Sequence, residues 1–300
     1  MKNDLKILVR GAGDIASGII WSLAYAGFNV CCTEVEKPST IRTEVAFSTA
    51  IYDGKKRLDG VECIFCEGSH SSPIQGDSHS VDYIVGASCT SANQTITNDI
   101  YKCWEEKKVA LIIDQDAKIL DEIKFDVVVD AILAKKNLGT KIDMAPLVIA
   151  VGPGFTTNDD CHLAIETMRG HNLARIIVDG SPMKNTGVPG LIAGHSSDRV
   201  IHSPANGTIH NLHKIGDTVK KDEVIAVIDE GSQQDGVKVL ASIDGILRGI
   251  IRDGYYVTKG LKIADIDPRL TEHDNCFTIS DKARSIGGAV VTAIIHHFNR

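Results

Sequence analysis

The stretch KILVRGAGDIA, Lys6 to Ala16, decides how the chain begins. Lys6–Val9 is a short apolar run of strand type. Gly11-Ala12-Gly13-Asp14-Ile15-Ala16 follows at once, with the G-x-G-x-x-G/A spacing of a dinucleotide-binding turn and Ala in the third place. In such a turn Gly11 permits the tight bend, Gly13 lets a diphosphate approach the backbone, and Ala16 keeps the following helix close to the strand. Ile15, Ile19, Leu23 and Ala26 recur at helical spacing, Gly27 ends the helix, and Phe28–Thr33 reads as a second strand. Glu34 closes it 23 residues beyond Gly11, close to the roughly 20-residue spacing of a ribose-binding carboxylate. The free amides and dipole at the helix start favour an anion. Gly11, Gly13, Asp14, Ile15, Ala16 and Glu34 are therefore the candidate cofactor-binding residues. The competing reading is a tight turn that binds nothing. Asp14 beside a diphosphate is electrostatically costly unless it caps the helix.

Working outward, strands are expected at Val45–Ile51, Val61–Phe65, Tyr83–Val85, Val109–Ile113, Phe125–Val129, Leu147–Val151 and Ala174–Val178. Helices are expected near Asp99–Lys107, over Asp116–Ile123 and from about Asp159, where Thr157 or Asn158 could cap. Glu67–Ser80 reads as a loop. This alternation predicts an α/β, Rossmann-like doubly wound sheet over residues 1–194. In that fold, polar residues at strand ends mark the ligand rim: Cys89, Thr90, Asp114, Asp116, Asp130, Lys135, Lys136, Asn137 and Gly152-Pro153-Gly154.

Beyond a Gly/Pro-rich boundary at Gly180–Gly194 the chain repeats itself. Gly207, Ile209, Leu212, Gly216, Val219, Asp222, Ile225 and Asp229 have counterparts 38 residues on, at Gly245, Leu247, Ile250, Gly254, Val257, Gly260, Ile263 and Asp267. Neither half has enough apolar residues to stand alone, so the two must pack together. Ser203–Val219 resembles the first half of biotinyl/lipoyl carrier domains, which implies a small all-β barrel-sandwich over residues 195–270. The carrier lysine would fall at position 234, where this chain has Gln234; Lys238 is out of register. Residues 271–300 are expected to finish the chain with a helix over Ser280–Phe298, with Ile286, Val290, Ala293 and Ile294 as its apolar stripe.

The 300 residues carry a formal charge of −7. No Lys/Arg run suits nucleic acid, and nothing suggests a membrane. The apolar stretch at the N-terminus is too short for a signal-peptide core, so a cytoplasmic location is expected. The eight cysteines are then expected as free, mostly buried thiols. Cys63 and Cys66 have CxxC spacing but no second pair to complete a metal site, and no metal site is assigned. No catalytic constellation is readable among the scattered histidines.

Over its length the chain resembles the YqeB family, accessory proteins of selenium-dependent molybdenum hydroxylases. The matching stretches are GAGDIASG (11–18), EKPSTIRTEVAFSTAIYDG (36–54), AKKNLGTKIDMAPLVIAVGPGF (134–155), IETMRG (165–170) and ISDKARSIGG (279–288). The N-terminal unit is also similar to the Rossmann unit of XdhC-type chaperones. These resemblances imply a maturation factor with a molybdenum hydroxylase as client. A nucleotide or molybdopterin dinucleotide would bind at Gly11–Ala16. An NAD(P)-dependent oxidoreductase is the alternative. A homo-oligomer is compatible with either.

Overall fold

The fold comes from a computed structural model that describes residues 4–67, 89–187, 190, 193–231 and 236–299, with side chains left out at 89–94. The chain divides into two compact units. The first holds Met1–Pro38, Phe47–Lys184 and Asp281–Arg300; the second holds Ser39–Ala46 and Asn185–Ser280.

The first unit is built on nine strands: β1 (Lys6–Arg10), β2 (Asn29–Glu34), β3 (Lys55–Leu58), β4 (Val61–Phe65), β5 (Val109–Ile113), β6 (Val127–Asp130), β7 (Leu147–Val151), β8 (Leu163–Ile165) and β9 (Ile176–Ile177). Their order is β3-β4-β5-β2-β1-β6-β7-β8-β9. The run from β4 to β8 is parallel, and β3 and β9 are antiparallel edges. The central strands are buried on both faces, which is why they read as unbroken apolar runs.

Two long helices cover one another across glycines. α1 (Asp14–Tyr25) and α4 (Asp281–Phe298) meet where a Cβ on Gly18 would stand 2.6 Å from Ala283. A Cβ on Gly287 would stand 2.5 Å from the Gly18 carbonyl oxygen. The Gly287-Gly288 pair thus serves close packing at its first member only, because nothing lies within 4 Å of a Cβ on Gly288. α2 (Ala50–Asp53) is a single turn. α3 (Cys89–Glu105) packs on the sheet around Ile100, Cys103 and Trp104. The Trp104 indole donates to the Val30 carbonyl at 2.9 Å and pins α3 to β2.

The second unit holds two antiparallel four-stranded sheets. Their strands are β10 (Val200–His202), β11 (Gly207–Asn211), β12 (Thr218–Val219), β13 (Val224–Asp229), β14 (Val237–Leu240), β15 (Gly245–Ile250), β16 (Tyr256–Val257) and β17 (Lys262–Asp267). The orders are β10-β17-β15-β12 and β14-β13-β11-β16. The 38-residue repeat is visible strand for strand, β11, β12 and β13 answering to β15, β16 and β17. Each copy lends its short strand to the other: β12 pairs with β15, and β16 with β11. One core of Ile209, Ile225, Ile228, Leu247, Ile263 and Ile266 joins the copies.

The architecture corrects the expected one. A doubly wound Rossmann-like domain followed by a barrel-sandwich is replaced by a nine-stranded mixed sheet and two antiparallel sheets. The crossovers β5–β6, β6–β7 and β7–β8 carry short 3-10 turns or loops where a doubly wound fold has helices. Asp116–Ile123 holds only a four-residue 3-10 turn, Lys118–Asp121. No helix starts at Asp159: Asn158 takes φ +70° and its amide bonds back to the Cys161 carbonyl, sending the chain straight into β8. Val45–Ile51 is a succession of 3-10 turns and α2 rather than a strand, with every residue buried and no alternation. Tyr83–Val85, Gln234 and most of the Glu67–Ser80 loop lie outside the described residues.

Candidate functional site

The Gly-rich turn joins β1 to α1 as expected, but its polar groups are already engaged. Gly11 takes φ +98°, and a Cβ there would lie 2.9 Å from the Ala131 carbonyl oxygen, so the glycine serves a close backbone crossing. Its amide donates to the Thr33 carbonyl at 2.8 Å. Gly13 is the N-cap of α1 with extended backbone, Asp14 and Ile15 open the helix half-buried, and Ala16 is buried. Glu34 sits at the end of β2 and accepts the Ala12 amide at 2.8 Å and the Val35 amide at 3.1 Å. The Ala12 carbonyl in turn accepts from Ser48, and the Ser17 hydroxyl from the Phe47 amide, both within 2.9 Å. Glu34, expected at a ribose, thus holds the backbone of the turn. Burial pushes the Glu34 carboxyl above its ordinary range, against the pull of the two amides.

A second cluster locks the ends of β1 and β6. Arg10, 2% exposed, donates to the Thr140 hydroxyl at 2.5 Å and to the carbonyls of Gln115 and Leu138. Thr140 donates to Asp130 at 2.5 Å, and Asp130 also accepts the Ile132 amide. Burial raises the Asp130 carboxyl despite Thr140, Ile132 and Arg10. Asn137 braces the same loop against Asp160. The rim residues Asp130 and Asn137 are therefore structural ties. Lys135 and Lys136 are exposed on the loop beside Gly154. Farther along, Glu166 accepts three amides, from Thr167, Met168 and Met183, each at 2.7 Å.

Open space lies on the other side of the sheet centre. A cleft of about 470 Å³ opens at the carboxyl ends of β2, β4 and β5. In open parallel sheets this is the edge where ligands bind. Its floor is apolar, with Ile51, Phe65, Ile96, Ile112, Ile113 and Ile119, and Tyr52 and Cys66 join it. Glu36, Glu67, Asp114 and Glu122 rim it against Lys37 and Lys118. Asp114 spends its carboxylate on the amides of Lys118 and Ile119, so it holds the 3-10 turn that forms one wall. Ile113 is 44% exposed at the end of an otherwise buried strand.

Of the residues singled out in the sequence, Asp114 from the expected ligand rim and Cys66 from the CxxC pair line this cleft. Asp116 is exposed beside it, and Cys89 opens α3 with its side chain outside the described set. Glu36, Tyr52, Phe65 and Ile96 were missed, since they come from four separated segments. An isoleucine closing a parallel strand just before an Asp was the available signal. The CxxC cysteines part company: Cys63 is fully buried in β4, and Cys66 stands 3.8 Å from Cys103, sulfur to sulfur. Among the described residues no group of three or more metal-type ligands converges, and no helix is long and apolar enough to cross a membrane.

No family model matches the chain. The uncharacterized protein YqeB of Escherichia coli K12 is 43% identical over 289 residues, covering 96% of this chain and 47% of that protein. The chain is a YqeB relative over the stretch they share, and it spans about half the length of that curated relative. Solved structures with some similarity are a succinylglutamate desuccinylase/aspartoacylase from Rhodobacter sphaeroides (14% identity, 87% of each chain, TM-score 0.24). Others are a succinylglutamate desuccinylase from Silicibacter sp. TM1040 (12%, 87% of this chain and 84% of that one, TM-score 0.25) and apo EutE from Ruegeria pomeroyi (12%, 50% and 62%, TM-score 0.23). At such scores the likeness assigns no activity to this chain. These matches are deacylase and ectoine-utilization proteins, and they give no support to a molybdenum hydroxylase maturation factor, a selenium role or an NAD(P)-dependent oxidoreductase. That expectation is not carried further: Glu34, its ribose-binding carboxylate, spends itself on the Ala12 and Val35 amides.

Proposed function

We propose that the chain binds a small organic molecule in the cleft at the carboxyl ends of β2, β4 and β5. Its apolar body lies against Phe65, Ile112 and Ile113, and a positively charged end meets the acidic rim. The observation that carries the reading is the cleft itself: about 470 Å³, apolar at its floor, with four carboxylates against two ammonium groups at its mouth among the described residues. That volume and lining are typical of small-molecule sites. An excess of carboxylates favours a cation there and disfavours an anion of equal size.

Ligand-observed NMR separates the terms with two probes of one shape, 2-phenylethylammonium and 3-phenylpropionate. The ammonium is expected to show saturation transfer from the protein and the carboxylate to show little. Equal transfer to both would leave the acidic rim without a role. No transfer to either would remove the cleft as a binding site for this class.

A further inference from the structure

Two buried thiols meet in the core beside the cleft. Cys66 follows β4, and its amide is tied to the Leu111 carbonyl at 2.8 Å. Cys103 lies two turns from the start of the side-chain-described part of α3, next to Trp104, whose indole bond to Val30 fixes the helix. Both backbones are therefore held, and the sulfurs face each other at 3.8 Å. Cys66 also lines the cleft, so a small reagent entering there meets its sulfur, with the Cys103 sulfur 3.8 Å from it.

We infer that Cys66 and Cys103 form a reversible dithiol site that reduces low-molecular-weight disulfides. One thiol of the pair loses its proton and attacks one sulfur of the small disulfide, forming a mixed disulfide and expelling one thiolate, which takes up a proton. The second thiol then loses its proton and attacks the protein sulfur of that mixed disulfide. That closes the Cys66–Cys103 disulfide and releases the second small thiol. Two protein thiols are oxidised and one small disulfide is reduced to two thiols. Only sulfur–sulfur bonds exchange, and the incoming disulfide is the oxidant.

Either sulfur can donate in the hydrogen bond between them, and that bond links the two acidities: Cys103 falls below the usual thiol range and Cys66 is pushed above it. The neighbouring thiols are poorer candidates. Cys31, Cys32 and Cys63 are all 0% exposed, and burial pushes Cys31 and Cys32 strongly toward the neutral thiol. The inference stands apart from the identity of whatever the cleft binds.

The test treats the reduced full chain with oxidised glutathione, blocks the remaining thiols with a maleimide and maps the peptides without reduction. Loss of two of the eight thiols, as a Cys66–Cys103 link that dithiothreitol reverses, is expected. Cys66→Ala and Cys103→Ala are each expected to lose the link. Any first-formed link at another pair, such as Cys32–Cys63, would overturn the inference. So would a wild-type chain in which Cys66 and Cys103 stay unlinked.

Discussion

The Glu34 carboxylate accepts the backbone amide of Ala12 at 2.8 Å, binding the end of β2 to the Gly-rich turn after β1. The residue expected to hold a ribose instead holds the turn. Removing the charge weakens a charge-assisted bond and turns an amide donor toward Val35, whose own N–H needs an acceptor. Glu34→Gln is expected to cost about 1–3 kcal/mol of folding stability, read from the urea midpoint. A neutral substitution would show that the turn is held without it.

The same group predicts a pH dependence. Burial raises the Glu34 carboxyl above its ordinary value of 4.5. The folded chain then holds that proton more tightly than the unfolded chain does. Its contribution is present in full at low pH and is lost as pH rises through the raised value. The stability of the native sequence minus that of Glu34→Gln should therefore fall as pH rises from 4.5 through the raised value. A difference that grows with pH would mean that the amide bonds outweigh burial.

The two glycines of α4 should behave differently. Gly287→Ala places a methyl group 2.5 Å from the Gly18 carbonyl oxygen, forcing α1 and α4 apart at a cost of about 1–3 kcal/mol. Gly288→Ala meets nothing within 4 Å and should gain up to about 1 kcal/mol from helix propensity. Thermal unfolding of the two variants measures the contrast, and equal effects would contradict the close crossing.

The repeat in the second unit predicts paired effects. A Cβ on Gly207 would stand 2.2 Å from the Asp229 carbonyl oxygen, and one on Gly245 stands 2.4 Å from that of Asp267. Gly207→Ala and Gly245→Ala should each destabilise by about 1–3 kcal/mol, with similar urea midpoints. Gly207 adds a cost, because its φ of +149° disfavours a side chain. A loss at one site alone would mean that the two copies are held by different contacts.

Much of the first unit was legible because its central strands are apolar runs closed by turn residues: Val61–Phe65, Val109–Ile113 and Leu147–Val151 appear with those bounds. The terminal helix was legible from its stripe. β3 was not, since Lys55–Leu58 is a polar edge strand. The run Val45–Ile51 misled because continuous burial does not distinguish a strand from compact turns. The Gly-x-Gly turn was found, but its occupancy was not: whether Glu34 points at a ligand or back at Ala12 depends on side-chain direction, which spacing leaves open. The cleft was least legible, because its lining is assembled from segments around residues 36, 52, 66, 96, 113 and 119.

Titration calorimetry with 2-phenylethylammonium on the native chain and on Ile113→Trp tests the central claim most directly. Ile113 is 44% exposed at the cleft, so an indole there fills space with little cost to the core. The account predicts measurable binding to the native chain and its loss in a variant that unfolds at an unchanged temperature. Undiminished binding to the folded Ile113→Trp variant would contradict the cleft as the site.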